Sequence, residues 1–111
     1  MNGNSFVIKG PYAGNLNTQI SWFFATESSR PRTIVIRGKF DTEKEVDFLF
    51  CGYKNGSGAP TLFNRRGWSG TGTIHVSQKI QVETEFEVFC RFMSDDEVSG
   101  DGIEIASVVI R

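Results

Sequence analysis

The sequence predicts an all-β fold of two packed antiparallel sheets, a β-sandwich with a jelly roll as its leading topology and an eight-stranded barrel as the alternative. Two observations carry this expectation. Apolar and polar residues alternate with period two in nearly every segment, and no window carries a helical stripe. Ten Phe and 12 Gly against 3 Pro in 111 residues describe an aromatic core joined by tight turns. This length supports one hydrophobic core, so residues 1–111 are read as a single domain.

The elements follow in order. Ser5–Lys9 is a short apolar run ended by Gly10-Pro11. Gln19–Ala25 places Ile20, Trp22 and Phe24 on one face, which makes Trp22 a core residue. Thr33–Phe40 sets Ile34, Ile36 and Phe40 against Thr33, Arg37 and Lys39, a strand with one buried face. Val46–Tyr53 is apolar on both faces, with Val46, Phe48 and Phe50 opposing Leu49, Cys51 and Tyr53. It reads as a central strand or one covered by a loop. Thr61–Asn64 is a candidate short strand. Gly72–Val82 alternates cleanly, with Gln78 as the one polar residue on its apolar face. Glu85–Met93 points Phe86, Val88, Cys90 and Phe92 one way. Ile103–Ile110 reads as Ile103, Ile105 and Val109 against Glu104, Ala106, Val108 and Ile110. The charged stretch Asp41–Glu45 reads as a turn, with Asp41 as a candidate cap. Gly56–Pro60 is a connector between strands.

Charge and composition exclude several classes. Lys+Arg is 12 and Asp+Glu is 13, a net charge of −1, without the basic excess of a general polyanion binder. Arg30, Arg32, Arg37 and Lys39 cluster on one strand, but the acids from Asp41 to Asp47 offset them. Nucleic acid is therefore not an expected partner. No apolar run approaches the roughly 20 residues of a spanning helix, so membrane insertion is not expected. Residues 1–5 show no basic start, apolar stretch or cleavage site, so no signal peptide is read. The two cysteines are too few for a disulfide scaffold. One bridge is open to them, but Cys51 and Cys90 fall on different strand phases, a bridge needs those two faces to meet, and free thiols are expected.

Catalysis has no residues to stand on. The one histidine, His75, sits mid-strand on the polar phase beside Thr73 and Ser77, with no nucleophile elbow or orienting acid in the sequence around it. One His and two distant Cys do not make a zinc site. Glycine-rich stretches precede strands rather than helices, so they form turns and not phosphate cradles. The expectation is a nonenzymatic protein.

Two loops remain. Residues 93–102 carry Asp95, Asp96, Glu97 and Asp101, and such hard oxygen ligands can hold one structural Ca²⁺, with Asp95, Asp96 and Asp101 as its candidate ligands. The spacing is not that of an EF-hand, and the plainer reading is a solvated hairpin loop. In residues 64–72, Trp68 stands between glycines beside Arg65 and Arg66. A sugar offers an apolar C–H face fringed with hydroxyls, so its site needs a flat aromatic and a few planar hydrogen-bonding groups. Trp68 is the candidate platform. Arg65, Arg66 and Asn64 are candidate polar contacts, with Tyr53 and Asn55 from a neighbouring loop. The competing reading makes Trp68 a plug over one end of the core. Tyr12, in a Gly-Pro-Tyr-Ala-Gly turn, says little.

The run from Trp68 through Ile80 and Val82, Glu85–Phe92, an acidic Gly loop and Ile103–Ile110 resembles the closing strands of jelly-roll carbohydrate-binding modules and of similar phage tail-fibre domains. Thr33–Lys39 and Asp47–Phe50 resemble the preceding strands. The resemblance lies in rhythm across about 80 residues rather than in a motif. It implies a ligand site on a concave sheet face or in the loops at one end, and a calcium that is structural. Two functions are expected from it: a noncatalytic, lectin-like module that binds a glycan, or a structural assembly domain such as a virion or tail-fibre subunit, with homo-oligomers open. The first implies an extracellular or virion-surface location.

Overall fold

The computed structural model describes residues 1–9, 16–44, 46–95 and 102–111. Alternation becomes strand wherever it was read: β1 (Asn2–Gly3), β2 (Phe6–Lys9), β3 (Asn17–Ala25), β4 (Arg30–Asp41), β5 (Phe48–Asn55), β6 (Thr61–Leu62), β7 (Thr71–Val82), β8 (Glu85–Met93) and β9 (Gly102–Ile110). No helix occurs among the described residues. Two antiparallel sheets form. One runs β1–β9–β4–β7, with β2 also paired to β9, and the other runs β3–β8–β5–β6. Among the described residues no strand pairing joins the two sheets, so two separate antiparallel sheets form rather than the closed barrel held as the alternative.

The inner faces of both sheets meet in one core. From the first sheet come Ile34, Ile36, Phe40, Ile74, Val76, Ile80 and Val82; from the second, Trp22, Phe24, Leu49, Phe86, Val88 and Phe92. Each such side chain removed from water contributes about 1.5–3 kcal/mol. Trp22 is buried as expected, and its indole N–H donates to the Asn4 carbonyl at 2.7 Å. That bond satisfies the one polar group the ring carries inward.

Two expectations fail, each for a geometric reason. The first concerns β9. Its register against β4 moves from Arg37↔Ser107 to Gly38↔Ile105, which leaves Ala106 as an extra, bulged residue. A bulge reverses the inward phase. Ile103 and Ile105 point to the core before it, and Val108 and Ile110 point there after it, with Val109 only half-buried. The expected grouping of Val109 with Ile103 and Ile105 is therefore wrong. Gly38 makes the close approach possible, because a Cβ there would collide with the Glu104 carbonyl oxygen.

The second concerns the cysteines. Cys51 and Cys90 are directly opposed on neighbouring strands of one sheet, and they form a disulfide with Cα atoms 4.1 Å apart. The expectation of free thiols assumed that the two phases faced apart. In fact the phase of Leu49, Cys51 and Tyr53 is the inward phase of β5, the same side as Phe86, Val88, Cys90 and Phe92. Cys90 is buried with those three residues as expected.

Candidate functional site

The loop that carries Trp68 is built into the sandwich. Asn64 organises its first turn: the Asn64 amide donates to the Gly67 carbonyl at 3.1 Å, and its side-chain oxygen accepts the Arg66 N–H at 3.1 Å. Asn side chains favour such local closure of a turn. Gly67 follows with φ of +73°, and a Cβ there would stand 2.8 Å from the Phe50 ring. Both the backbone angle and the packing therefore require glycine. Trp68 then pairs with Leu49 through two backbone hydrogen bonds of 2.8 and 2.9 Å, as one more rung beside β5.

Beyond Trp68 the loop is tied to the turn after β4. Ser69 Oγ donates to the Glu43 carbonyl at 3.2 Å, and Thr42 N–H donates to the Gly70 carbonyl at 2.7 Å. The buried Thr42 hydroxyl accepts the Gly70 N–H at 3.0 Å. Asp41, expected as a helix cap, instead ends β4 and accepts the Thr71 hydroxyl at 2.9 Å.

The Trp68 side chain is half-buried. One part packs against the core together with Phe63, and the rest lines a groove of about 390 Å³ shared with Phe63, Asn64, His75, Val76, Ser77 and Gln78. The indole thus both closes one end of the core and borders a groove. The groove runs along the open edge of β7, the outermost strand of its sheet. Arg65 and Arg66 are exposed on the same loop, and neither guanidinium has a hydrogen bond or ion pair among the described residues.

The structure gathers only some of the expected contact residues. Trp68, Asn64, Arg65 and Arg66 share one loop. Tyr53 points inward, with its ring 5.6 Å from that of Phe63. Asn55 lies at the far end of β5, about 20 Å along the strand from the Trp68 bridge at Leu49. There its amide donates to the Gln81 carbonyl at 3.0 Å and its oxygen accepts the Glu83 N–H at 2.9 Å, which fixes the β7–β8 turn. Asn55 is a turn anchor. Conversely, His75, Ser77, Gln78 and Phe63 were not foreseen. Gln78, the polar residue on the apolar phase of β7, was the one signal that the core is open at that point.

The acidic residues converge differently from the expectation. Glu43, Asp47 and Asp95 bring one carboxylate oxygen each to within 4.8 Å of one another. Asp47 is wholly buried, and one of its oxygens accepts the Asp95 N–H at 2.8 Å. Of the three candidate calcium ligands, Asp95 belongs to this cluster, while Asp96 and Asp101 lie outside the described residues, as does Tyr12. Glu43 and Asp47 come from the turn between β4 and β5, roughly 50 residues earlier in the chain. The Ser69–Glu43 bond connects this cluster to the Trp68 loop.

No protein-family model matches the chain, and no curated protein sequence matches it significantly.

Proposed function

We propose that this chain is a noncatalytic carbohydrate-binding domain of the jelly-roll type that holds a glycan in the Trp68 groove. The strand order supports the topology. With β1 and β2 counted as one strand, eight strands divide into two sheets of four, and apart from the β5–β6 hairpin every neighbouring pair is joined by a crossover, as two interlocked Greek keys require. The observation that carries the function is the partly exposed indole of Trp68 in a groove that it shares with Phe63 and Val76 and with amide, hydroxyl and imidazole groups. Such a surface suits the C–H face and hydroxyl fringe of a sugar. Arg65 and Arg66 stand ready for vicinal hydroxyls or a sugar carboxylate.

Glu43, Asp47 and Asp95 would supply the hard oxygens for one structural Ca²⁺, which would brace the Trp68 loop through Ser69. The buried disulfide suits an oxidising compartment outside the cytoplasm, in keeping with a glycan-facing location.

A glycan array followed by affinity electrophoresis tests the reading. Trp68→Phe and the pair Arg65→Ala, Arg66→Ala are expected to lose retention while melting close to wild type. A wild type that retains no glycan across a broad panel would remove the proposal.

A further inference from the structure

The outer face of the β3–β8–β5–β6 sheet is apolar where the Trp68 groove is not. It carries Phe23, 78% exposed and the most exposed large apolar side chain described, with Met93, Phe48, Phe50 and Leu62. Phe48 and Phe50 stack with ring centroids 6.0 Å apart. Phe89 lies at the centre, its ring already buried against Gly52, where a Cβ would come within 2.9 Å of it, so the exposed apolar surface is the ring of residues around it. Gln19, Lys54, Glu87 and Arg91 border a trough of about 570 Å³ over Phe50 and Phe89. Isolated exposed apolar residues need no explanation, but a contiguous patch rimmed by charge marks an interaction surface.

We propose that this face binds the same face of a second copy of this chain. The charge pattern selects that partner. Outward along β8 the residues run Glu85, Glu87, Phe89, Arg91, Met93, acidic on one side of Phe89 and basic on the other. On the flanking strands Gln19 and Phe50 are level with Arg91, and Phe23 and Lys54 are level with Glu87. A two-fold axis over Phe89, lying in the interface across the strands, sets Glu87 of each copy over Arg91 of the other. The same rotation sets each Lys54 over a Phe50 ring, a cation–π contact. The alternative in-plane axis, along the strands, would stack Glu87 on Glu87 and is repulsive. Arg91 is held for this role, since its Nε donates to Asn17 Oδ1 at 2.7 Å. A two-fold interface must be complementary to itself, and this face is.

The area fits a reversible dimer. Three strands of eight or nine residues and the two residues of β6, at about 4.8 Å spacing and 3.4 Å rise, give a footprint of roughly 450 Å² per copy. Both copies together bury about 900 Å², the size of weak, transient interfaces rather than of permanent ones. This surface is separate from the Trp68 groove, so the proposal does not depend on glycan binding.

Sedimentation equilibrium from about 1 to 200 μM tests it, a span that covers micromolar dissociation constants. A monomer–dimer equilibrium is expected for the wild type. Phe23→Lys and Glu87→Arg should each weaken it by about tenfold or more. The double variant Glu87→Arg, Arg91→Glu should recover most of that loss, because the swapped charges again face each other. Phe23 is exposed, so its variant keeps the fold, and circular dichroism verifies that. A wild type that stays monomeric throughout overturns the proposal. So does a dimer insensitive to Phe23→Lys, or a charge swap that fails to recover. A monomeric wild type whose glycan retention is lost in Phe23→Lys would likewise overturn it and assign the face to sugar.

Discussion

The two sheets both contribute to one core and differ in what they show to solvent. On the β1–β9–β4–β7 sheet, the outward residues of β4 and β7 include Thr33, Arg37, Lys39, Thr73, His75, Ser77 and Lys79. The Lys39–Glu104 pair at 3.6 Å belongs to this side, largely exposed and worth little in stability. On the β3–β8–β5–β6 sheet the outward residues include Phe23, Phe48, Phe50 and Met93, around a Phe89 that is itself buried. An antiparallel sheet with one solvated face is expected to alternate as the first does. Along β4 and β7 the first breaks the rule only at Val35, whereas the second departs from it across several residues, and that departure is the basis of the proposed self-association. It is also this sheet that holds the disulfide.

The largest expected effect follows from that placement. Cys51 and Cys90 close a loop with a sequence separation of 39. Removing such a crosslink in the double variant Cys51→Ala, Cys90→Ala should cost about 4 kcal/mol by the chain-entropy argument. Denaturant unfolding measures the loss. Hydrogen exchange should find β5 and β8 more affected than β4 and β7, since only the first pair is stapled. Equal loosening of both sheets would show that the core, and not the staple, sets their stability.

Calcium comes next. If Glu43, Asp47 and Asp95 hold an ion, saturating Ca²⁺ at about 100 times its dissociation constant adds about 2.7 kcal/mol, and chelator removes it. The melting temperature should then rise by roughly 10 °C. Mg²⁺ should do less, because it demands a tighter octahedron. A melting temperature indifferent to Ca²⁺ and to chelator would leave the cluster as a buried hydrogen-bonded turn. Next in size, Trp68→Ala should cost about 2 kcal/mol, less than a full core truncation because the indole is only half-buried. Its loss of glycan retention should exceed what that destabilisation explains.

These regions were unequally legible in the sequence. The strands, Trp22 and the inward set of Phe86, Val88, Cys90 and Phe92 follow from alternation, because one face of each strand is polar enough to fix the phase. β9 defeated the same reasoning. Both of its faces are apolar near the end, so a bulge at Ala106 shifts Val108 and Ile110 inward without leaving a polar mark. β5 was ambiguous for the same reason, and the face of Cys51 with it. The acidic cluster was hidden because register, not spacing, brings Glu43 and Asp47 to Asp95. In the groove, the Trp68 loop could be read from its glycines, but the wall of His75, Ser77 and Gln78 depends on β7 being an edge strand. Alternation cannot reveal strand order.

The smallest expected effect on stability is also the one that tests the contrast most directly. Phe23 and Phe24 are neighbours on β3 with opposite fates, the first 78% exposed and the second 9%. Phe24 stacks on Phe86 with centroids 5.3 Å apart, inside the core. Truncating Phe24 to Ala should therefore cost about 3–5 kcal/mol. Phe23→Lys should change stability by no more than about 0.5 kcal/mol, because no packing is lost. Equilibrium denaturation of the two variants measures both. If Phe23→Lys proves as costly as Phe24→Ala, the outer phenylalanines belong to the monomer's own packing and the two faces differ only in composition. If it is silent in stability and yet alters the mass in solution, the apolar face has no role in folding the single chain and its residues are kept for a second one.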